Sequence, residues 1–414
     1  MSRIAIVGAG ISGLTAAYYL RKLHDLTLFE AADYIGGHTN TIPVARPGGP
    51  DDLVDTGFIV FNDWTYPRFI RLLNELGVAS RPTEMSFSVT CERTGLEYAG
   101  NTLNSLFAQR RNIVRPSFHR MLYDVVRFYR RAPALLRGAG PGPSLREYLH
   151  AGRYSREFID QHIIPMGAAI WSANPGEFTD IPARFFVQFF VNHGMLNLFR
   201  RPVWRTIVGG SQAYIPPLTA AFRDRIRLSC PVLAVERGVA GVDVTHAGGR
   251  ERFDSVILAL HSDQALRILA DPSPAEHAIL GAVGYLANET VLHTDISRMP
   301  SRRRAWASWN YRLPAQPDQR PTLTYNMNIL QGLSTPSTYL VSLNQSGAID
   351  PRAILRTLEY HHPVFTPAAV AAQQRWREIS GTNRTYYCGA YWGYGFHEDG
   401  VASGLAVADQ LKNP

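Results

Sequence analysis

Short apolar runs separated by glycines open the chain. Residues 4–7 and 26–29 are almost entirely aliphatic or aromatic and only four residues long, which is typical of buried strands. Residues 14–20, rich in alanine, leucine and tyrosine, follow a glycine-containing turn and predict a helix. The order of strand, glycine turn, helix and strand predicts a βαβ unit at the start of the chain.

Strand patterns recur further along the chain. Residues 86–92 and 96–99 flank a turn that contains Gly95, and they predict a hairpin. Residues 255–259 predict another strand, followed by a helix that extends to Leu269. Four later strand-like runs, which with the hairpin would complete a second sheet, are residues 289–294, 305–311, 322–327 and 338–343.

Two segments have an unusual composition, and the first of them is predicted to be helical. Residues 101–137 contain eight arginines and a single acid, Asp124. They fit either a soluble helix pair with a solvated arginine face or a segment that lies on an anionic bilayer. The arginines are Arg110, Arg111, Arg115, Arg120, Arg127, Arg130, Arg131 and Arg137. Residues 155–200 are strongly apolar and aromatic, so most belong to a core, and a channel there would be lined with hydrocarbon.

Other signals mark helix boundaries. Residues 138–143 are glycine and proline and predict a loop, apart from one alanine. Ser144 and Glu147 then have the spacing of a capping box that opens a helix. Residues 355–374 predict a mostly helical segment, which two prolines interrupt.

The overall composition bounds the class of protein. The 414 residues are enough for two domains, and 45% apolar and 18% charged residues are typical of a globular protein. Cys91, Cys230 and Cys388 show neither metal-ligand spacing nor a disulfide framework, which favours a reducing, cytoplasmic location. No signal peptide pattern precedes the first strand, and no apolar run reaches the about 20 residues of a membrane-spanning helix.

The chain carries a net charge of +8, which favours an anionic partner such as a membrane surface or an acidic carrier. Nucleic acid ranks last among such partners, because the sequence contains no zinc finger or other nucleic-acid-binding module.

The glycines of the first turn have the spacing of a dinucleotide site. In Gly8-Ala9-Gly10-Ile11-Ser12-Gly13, the three glycines permit the tight turn, the close approach of a pyrophosphate and the packing of helix on strand. The helix N-terminus offers free N–H groups and a partial positive charge to the phosphates. Glu30, seventeen residues after the last glycine, can accept hydrogen bonds from ribose hydroxyls.

A second glycine pair indicates which dinucleotide binds. Gly36-Gly37-His38-Thr39 lies close behind Glu30-Ala31 and suits a loop that passes near a diphosphate. The pattern resembles the flavin-containing amine oxidase and phytoene-desaturase superfamily, whose motif is Glu-Ala followed by Arg-x-Gly-Gly-Arg. Tyr34 and His38 stand where that motif has arginines, so only His38 is left to replace one of their phosphate contacts.

Further segments extend this resemblance over nearly the whole chain in the order of the superfamily. They are Asp55-Thr56-Gly57-Phe58 beneath the flavin ring, Val208-Gly209-Gly210-Ser211 as a second glycine pair, residues 231–235 as the adenine-side strand, and residues 388–391 and 400–404 as the closing strand and helix.

The resemblance implies an α/β fold with FAD as the cofactor. A Rossmann-type FAD-binding domain would comprise residues 1–85, 205–285 and 380–414, and a substrate domain with a mixed sheet and helices would comprise 86–204 and 286–379. The residues that the resemblance assigns to FAD are Gly8, Ala9, Gly10, Ile11, Ser12, Gly13, Glu30, Ala31, Gly36, Gly37, His38, Thr39, Thr56, Gly57, Phe58, Val232, Gly389, Asp399, Gly400 and Val401.

Residues 391–400 carry the candidate chemistry. The resemblance points the N-terminus of the last helix at the pyrimidine edge of the flavin, where its positive end favours the anionic reduced flavin. Phe396 falls where many members place a ring over the flavin, with a packing role as the alternative. His397 and Glu398 are candidate acid–base groups or else a structural pair. Asp399 is expected to cap the helix.

The positions of the lysines and histidines limit the chemistry that we expect at the flavin. Lys22 and Lys412 are the only lysines, and neither is placed to reach flavin N5, where many superfamily oxidases hold a lysine and a water. This argues against ordinary amine-oxidase chemistry. We expect no metal site, because the neighbours His361 and His362 point apart. His193 is expected in the core or a loop rather than in catalysis.

Several phrases also resemble a narrower bacterial group, the predicted NAD/FAD-binding oxidoreductases whose genes often accompany cyclopropane-fatty-acid-synthase-like methyltransferases. The phrases are Ile170-Trp171-Ser172, Phe190-Val191-Asn192-His193-Gly194, Tyr325-Asn326-Met327-Asn328, His362-Pro363-Val364-Phe365 and Gly395-Phe396-His397-Glu398-Asp399-Gly400. This resemblance implies a fatty acyl or other apolar substrate and a methyltransferase as a functional partner.

The leading hypothesis is an FAD-dependent dehydrogenase or desaturase that transfers a hydride from a methyl-branched or unsaturated fatty acyl chain to flavin N5. The alternatives are a flavin-dependent double-bond isomerase, an amine oxidase, and a carrier without chemistry, as the prenyl-GTPase escort proteins of the superfamily are. Residues 101–137 are a candidate for peripheral contact with the inner face of a membrane.

Overall fold

The computed structural model describes residues 1–138, 140, 142–171, 179–197, 200–316 and 321–412. Parts of three sequence predictions lie outside the described residues. They are Ala139 and Pro141 of the predicted loop, Ser172 of one resemblance phrase, and residues 172–178, 198 and 199 of the apolar segment.

The described chain alternates strands and helices throughout. The strands are β1 (Arg3–Val7), β2 (Asp25–Phe29), β3 (Thr41–Val44), β4 (Asp52–Asp55), β5 (Phe61–Asn62), β6 (Ser80–Pro82), β7 (Phe87–Cys91), β8 (Leu96–Ala99), β9 (Trp204–Ile207), β10 (Ile226–Arg227), β11 (Val232–Gly238), β12 (Gly241–His246), β13 (Gly249–Phe253), β14 (Ser255–Leu258), β15 (Gly284–His293), β16 (Trp309–Leu313), β17 (Thr322–Asn326), β18 (Leu340–Leu343), β19 (Ile354–Val364) and β20 (Thr385–Tyr387).

The α-helices are α1 (Ile11–Leu20), α2 (Pro67–Glu75), α3 (Leu103–Leu106), α4 (Pro116–Arg131), α5 (Leu145–Ala151), α6 (Arg156–Phe158), α7 (Ile164–Trp171), α8 (Ala183–Asn192), α9 (Ile215–Thr219), α10 (Ser262–Ile268), α11 (Pro274–Leu280), α12 (Met327–Leu330), α13 (Pro367–Gln373), α14 (Trp376–Ile379) and α15 (His397–Lys412). A π-helical turn, Ile159–Ile163, joins α6 to α7. Short 3₁₀ turns are Arg110–Val114, Ala132–Arg137, Ser211–Tyr214, Arg223–Arg225, Ile296–Arg298, Arg303–Ala305, Ser346–Ala348, Pro351–Ala353 and Ala390–Trp392.

A parallel sheet organises the amino-terminal motif. Among the described residues its order is β10-β2-β1-β14-β20. Ile4 and Ile6 of β1 pack on the side of α1 and α15. Ala5 and Val7, which point the other way along the strand, pack against the antiparallel meander β11-β12-β13. Both faces of the sheet are therefore covered, and β1 is buried along most of its length.

A second, mixed sheet has the order β19-β15-β18-β17-β16-β7-β8 within the described chain. Its neighbours are antiparallel except for β16 and β7, which run parallel. The predicted hairpin of β7 and β8 is confirmed, and the four later strand-like runs also belong to this sheet. The predicted α/β fold class is confirmed, whereas the boundaries of the two domains stay a prediction.

The prediction of helix for residues 355–374 is wrong for its first half. Residues 354–364 form the strand β19, which pairs with β15 from Gly284 to His293, and only α13 and the short α14 are helical. Tertiary pairing overrides local propensity here. Pro363 is tolerated because β19 is the edge strand of the sheet.

The predicted helical segment at residues 101–137 forms α3, α4 and two 3₁₀ turns. The described part of the apolar segment contains α6, α7 and α8. Ser144 and Glu147 form the predicted capping box, since each side chain accepts a hydrogen bond from the backbone of the other. No helix of the described chain is long and apolar enough to cross a membrane.

The last helix packs directly on the first. A Cβ placed on Gly404 would lie 2.4 Å from the backbone oxygen of Ser12, and one on Gly400 would lie 2.7 Å from the side chain of Ile11. Only glycine permits this separation of α1 and α15. The amino-terminal motif and the end of the chain therefore form one structural unit.

Candidate active site

The turn between β1 and α1 uses its glycines for different purposes. Gly8 has a φ of +104°, and a Cβ on Gly13 would lie 2.1 Å from the carbonyl oxygen of Gly8. Gly10 has an ordinary φ of −78°, and a Cβ there would meet nothing within 4 Å. Neither conformation nor protein packing explains this glycine, so the space in front of it is free for a ligand.

The N-terminus of α1 opens onto the same space. Gly10 is its N-cap and provides no side chain to bond the amides of Ile11, Ser12 and Gly13. An uncapped helix N-terminus of this kind favours a phosphate. Gly36 donates its N–H to the carbonyl of Ala9 at 3.0 Å, so the second glycine pair lies against the first turn, as its spacing predicts.

The acid after β2 lies at the same edge of the sheet. Glu30 accepts hydrogen bonds from the N–H of Ala9 at 2.7 Å and from that of Ala32 at 2.9 Å, which fixes its carboxylate beside the turn. Ala31 is exposed between them. The N–H of Cys230 bonds the carbonyl of Glu30 at 2.8 Å, and this places Val232, the first residue of β11, on the same side.

Two further predicted segments pack together. Gly57 lies so close to His38 that a Cβ would sit 2.2 Å from the His38 carbonyl oxygen, which also accepts the N–H of Phe58 at 2.7 Å. The hydroxyl of Thr56 donates to the carbonyl of Asn40. The segments at 38–40 and 56–58 are therefore one unit beside the glycine turn.

His397 is held rigidly under this unit. Its ring stacks on Phe58 with centroids 3.6 Å apart and an angle of 8° between the planes. Nε2 lies 3.1 Å from the hydroxyl of Thr39 and 2.9 Å from that of Tyr214. Burial lowers the pKa of His397 to about 3, so the ring stays neutral. These contacts fit a residue that positions the site.

Glu398 is engaged by another helix. Its carboxylate accepts the backbone N–H groups of Arg68 and Phe69, in the first turn of α2, and the Arg68 guanidinium lies 3.3 Å away. Burial raises the pKa of Glu398. Both oxygens are occupied, so the geometry favours the structural alternative for Glu398.

Asp399 is the third residue of the last helix rather than the N-cap that the sequence suggested. Its carboxylate instead accepts the N–H groups of Tyr394 and Phe396, which precede the helix, at 3.0 and 2.9 Å. The side chain thereby folds the preceding loop back onto the helix start. Burial raises the pKa of Asp399 to about 6.

The rest of the last motif also borders the turn. Gly389 donates its N–H to the hydroxyl of Ser403, and a Cβ on Gly389 would strike the ring of Tyr391. Val401 is completely buried in the core shared with α1, one residue after Gly400. Gly389 and Val401 therefore lie beside the contact between the first helix and the last helix.

A cleft of about 340 Å³ opens beside Phe396. Phe396 stacks on Phe189 of α8 with centroids 5.3 Å apart. Asn192 and His193, at the end of the same helix, also line the cleft. The remaining lining residues are Trp64, Thr65, Tyr66, Pro67, Arg68, Tyr394, Glu398 and Asp399.

His193 is buried, as the sequence analysis expected of a core or loop histidine, but that analysis missed its position on the wall of the cleft. The ring stacks on Phe189 at 3.9 Å, and its Nδ1 lies 2.9 Å from the Phe189 carbonyl, so Nδ1 carries the proton and Nε2 the lone pair. Burial lowers the pKa of His193 to about 4. Its place in the phrase that resembles the narrower group was the only signal in the sequence.

Sequence reasoning also missed the network around Asp55. This buried carboxylate accepts hydrogen bonds from Thr41, Ser211 and Gln331, and burial raises its pKa to about 6. The network joins the segment before Gly57 to the second glycine pair. Its partners are distant in sequence, so no local pattern announced them.

The two lysines are remote from the cleft. Lys22 is exposed just after α1, and Lys412 pairs with Asp409 at 3.1 Å. Within the described residues, no group of three or more His, Cys, Asp or Glu side chains is arranged to hold a metal ion.

These features fit a dinucleotide that carries a flavin. The open space at Gly10, the uncapped α1 terminus and the carboxylate of Glu30 would receive the diphosphate and a ribose. A family model described as flavin containing amine oxidoreductase matches residues 11–293. The chain belongs to this family.

Membership makes the protein a flavin-dependent oxidoreductase with FAD as its cofactor. Coproporphyrinogen III oxidase of Mycobacterium tuberculosis is 28% identical over 295 residues, which are 66% of this chain and 62% of that protein. The match therefore spans less than two thirds of the relative. The assignment of individual residues to FAD stays a prediction.

Solved structures share the fold over nearly the whole chain. Cyclohexylamine oxidase from Brevibacterium oxydans IH-35A has a TM-score of 0.70 at 15% identity and covers 100% of both chains. The CLA-producing fatty acid isomerase from P. acnes has a TM-score of 0.68 at 14% identity, over 99% of this chain and 98% of that chain. At these identities the likeness concerns the fold alone.

Proposed function

We propose that this flavin enzyme dehydrogenates the acyl chain of a lipid. The observation that carries the proposal is an aromatic wall that leads from the cleft into the helical region. Phe189 contacts both Phe396 and Trp171, with centroids 5.3 and 4.8 Å apart. Phe185 continues the wall, 4.9 Å from Tyr394 and 5.3 Å from Phe365. A hydrocarbon chain finds dispersion contacts there without needing hydrogen bonds.

Bound FAD would supply the two-electron sink, taking a hydride from one carbon while the neighbouring carbon loses a proton and an external acceptor reoxidises the flavin. The protein must therefore accept one proton from the substrate and exclude water. His193 presents an unprotonated Nε2 on the wall of the cleft and is our candidate proton acceptor. The packed rings of Phe189 and Phe396 keep water from its buried side.

Charge argues against two other substrate classes. A porphyrinogen with several carboxylates, as the name of the mycobacterial relative suggests for that protein, needs cationic partners. Among the described lining residues, the only guanidinium is Arg68, which pairs with Glu398 at 3.3 Å. For an amine, Glu398 and Asp399 are already occupied by backbone N–H groups, and no lysine lies near the cleft.

Double-bond isomerisation is the second candidate, since a fatty acid isomerase shares the fold. Isomerisation requires the hydride to return, so the product mass is unchanged, whereas dehydrogenation removes two hydrogens. A carrier without chemistry is disfavoured because the space in front of Gly10 is open to a cofactor.

The test uses the purified yellow protein under anaerobic conditions. Free fatty acids, carrier-bound acyl chains and phospholipids are added in turn while the flavin absorbance is followed, and the products are weighed by mass spectrometry. Bleaching with a loss of two hydrogens supports dehydrogenation. Bleaching by none of these lipids, or peroxide release with amines, would overturn the proposal.

A matched pair of variants tests the proton acceptor. His193→Gln removes the basic nitrogen from the cleft, and we expect the anaerobic bleaching rate to fall by about 10²-fold at unchanged FAD content. His277→Gln, at an exposed position on α11, should behave as the wild type. Equal rates for the two variants would show that His193 does not accept the proton.

We propose further that the enzyme meets its substrate at an anionic lipid surface. Leu103, Ile113 and Val114 are 77%, 51% and 80% exposed, and they lie among the arginines of residues 101–137. Of those eight arginines, only Arg127 forms an ion pair with a carboxylate of the described chain, that of Asp124. Exposed apolar side chains beside unpaired guanidinium groups are complementary to the headgroups and hydrocarbon of such a surface.

Vesicle flotation tests this surface. Vesicles rich in phosphatidylglycerol should bind the enzyme more tightly than phosphatidylcholine vesicles, and salt should weaken the binding. The double variant Leu103→Ser, Val114→Ser should bind at least about tenfold more weakly. Val239→Ser, at a residue that is 97% exposed on another face, is the control. Binding that does not depend on lipid charge, or a double variant that binds like the wild type, would refute the proposed lipid-binding surface.

A further inference from the structure

Four histidines gather where the parallel sheet meets the edge strand of the mixed sheet. The ring of His38 lies 6.1 Å from that of His261 and 5.7 Å from that of His362, and His261 lies 6.3 Å from His361. They come from three separate segments: the loop after β2, the residue before α10, and β19. We call these four residues the histidine cluster.

The histidine cluster flanks the glycine turn. His38 follows Gly37, on which a Cβ would lie 3.3 Å from the Cα of Gly10. His261 follows the segment that touches Gly8, since a Cβ on Gly8 would lie 2.5 Å from the oxygen of Ala259. Two histidines therefore stand immediately next to the contacts that shape the predicted diphosphate site.

No permanent cation accompanies the cluster. In the described part of the chain, no guanidinium or ammonium group is a hydrogen-bond, ion-pair or ring partner of these four residues. The neighbouring acids are already engaged: Glu359 pairs with His361 at 2.9 Å, and Glu30 binds backbone N–H groups. Tyr34, at the other position where the superfamily motif has arginine, donates its hydroxyl to the carbonyl of Gly37.

The remaining neighbours are aromatic or neutral. Tyr360 stacks on His38 at 4.9 Å, and Tyr285, near Asp263, stacks on His261 at 4.4 Å. The side-chain amide of Asn288 donates to Nδ1 of His362, which leaves the proton of that ring on Nε2.

Three of the rings, those of His38, His261 and His362, are neutral as they stand. Burial, together with repulsion from the neighbouring histidines, lowers the pKa of His38 and His261 to about 4 and that of His362 to about 3. The diphosphate of FAD would bring two negative charges beside the glycine turn. An anion within a few ångströms raises the pKa of a histidine and reverses this effect.

We propose that the histidine cluster supplies the positive charge for the FAD diphosphate by taking up about one proton when FAD binds. His38 is the main site, because it adjoins the glycine pair directly. FAD affinity then rises with acidity, by up to about tenfold for each pH unit per proton taken up. Sites that hold FAD with permanent arginines lack this dependence.

Isothermal titration of the full-length, flavin-free chain with FAD tests the proposal. At pH 6, about two units above the pKa of His38 in the flavin-free chain, the binding heat is measured in two buffers with different ionisation enthalpies. Uptake of about one proton makes the two heats differ by the difference of those enthalpies. Equal heats in both buffers would overturn the proposal whatever the activity of the loaded enzyme.

Variants locate the proton. His38→Arg provides a fixed charge, so it should bind FAD with little proton uptake and a flat pH dependence. His38→Gln should bind FAD more weakly and also lose the uptake, which keeps the test valid if the arginine variant does not fold. His277→Gln, on the exposed face of α11, should keep the wild-type uptake. Full uptake in both His38 variants would refute the role of His38.

Discussion

Glu398 accepts a hydrogen bond from the backbone N–H of Phe69 at 2.9 Å, so the first turn of the last helix is bonded to the first turn of α2. Neither residue lies near the other in sequence. The contact joins the wall of the cleft to the unit that holds the predicted flavin site. It also explains how this acid can be buried, because backbone N–H groups satisfy its carboxylate.

Glu398→Gln should lower stability but leave the chemistry intact. The amide cannot accept both backbone N–H groups as a carboxylate does, and a hydrogen bond to a charged group contributes about 1.5–3 kcal/mol. We expect a lower midpoint in urea and an unchanged anaerobic bleaching rate per bound flavin. Asp51→Asn, in an exposed loop, is the control. A slower rate at unchanged stability would instead make Glu398 an acid–base group.

Gly10→Ala should abolish FAD binding without unfolding the chain. The added methyl group would occupy the free space in front of the turn, where a Cβ meets no protein atom within 4 Å. We expect FAD affinity to fall at least about tenfold, since the methyl blocks the close approach of the diphosphate. Gly100→Ala is matched, because a Cβ there also meets nothing. A yellow Gly10→Ala protein of normal affinity would contradict the site.

Stability should fall as the pH drops from about 6.5 to about 4. Burial lowers the pKa of four histidines outside the histidine cluster to about 3–4, with repulsion from His38 adding to the effect at His397, so their unfolded forms take up protons first and stability is lost below pH 6.5. These residues are His162, His193, His293 and His397. Asp55 and Asp399 act oppositely, because burial raises their pKa values to about 6.

The four histidines outweigh the two aspartates, so the free energy of unfolding should fall on acidification, as the histidines alone would cause. Urea unfolding of the flavin-free chain at pH 7.5, 6 and 5 measures the slope, in which each proton taken up on unfolding contributes about 1.4 kcal/mol per pH unit. The variant Asp55→Asn, which removes one opposing group, should be more acid-sensitive than the wild type. A free energy of unfolding that rises on acidification would contradict this assignment.

Glu276→Ala should destabilise the protein by about 3–5 kcal/mol, because it removes the buried partner of the Arg237 guanidinium, which keeps only the half-exposed Asp271. Glu276 is completely buried, and its carboxylate binds both Arg237 and the hydroxyl of Tyr387. Chemical denaturation measures the loss. In Glu378→Ala, which removes the exposed partner of Arg375, the midpoint should not move. Similar losses in the two variants would disprove the importance of burial.

Local signals predicted the parts of the fold that neighbouring residues determine. The glycine turn of β1 and α1, the hairpin of β7 and β8 and the Ser144 capping box each depend on residues a few positions apart. Their glycines, caps and apolar runs have the same meaning in any protein.

Contacts between distant segments were beyond such reasoning. β19 has helix-compatible residues and becomes a strand only because β15 lies beside it. Asp399 is a residue type that commonly caps helices, but its carboxylate accepts N–H groups of the loop that precedes the helix. The histidine cluster combines positions 38, 261, 361 and 362, which no pattern along the chain could unite.

The close packing of Gly404 on Ser12 has a consequence for biosynthesis. The ribosome makes the glycine turn nearly four hundred residues before the helix that supports it. A nascent chain therefore lacks a finished pocket until that helix has been synthesised. Flavin loading should follow the synthesis of this helix, and chains stalled before it should stay colourless.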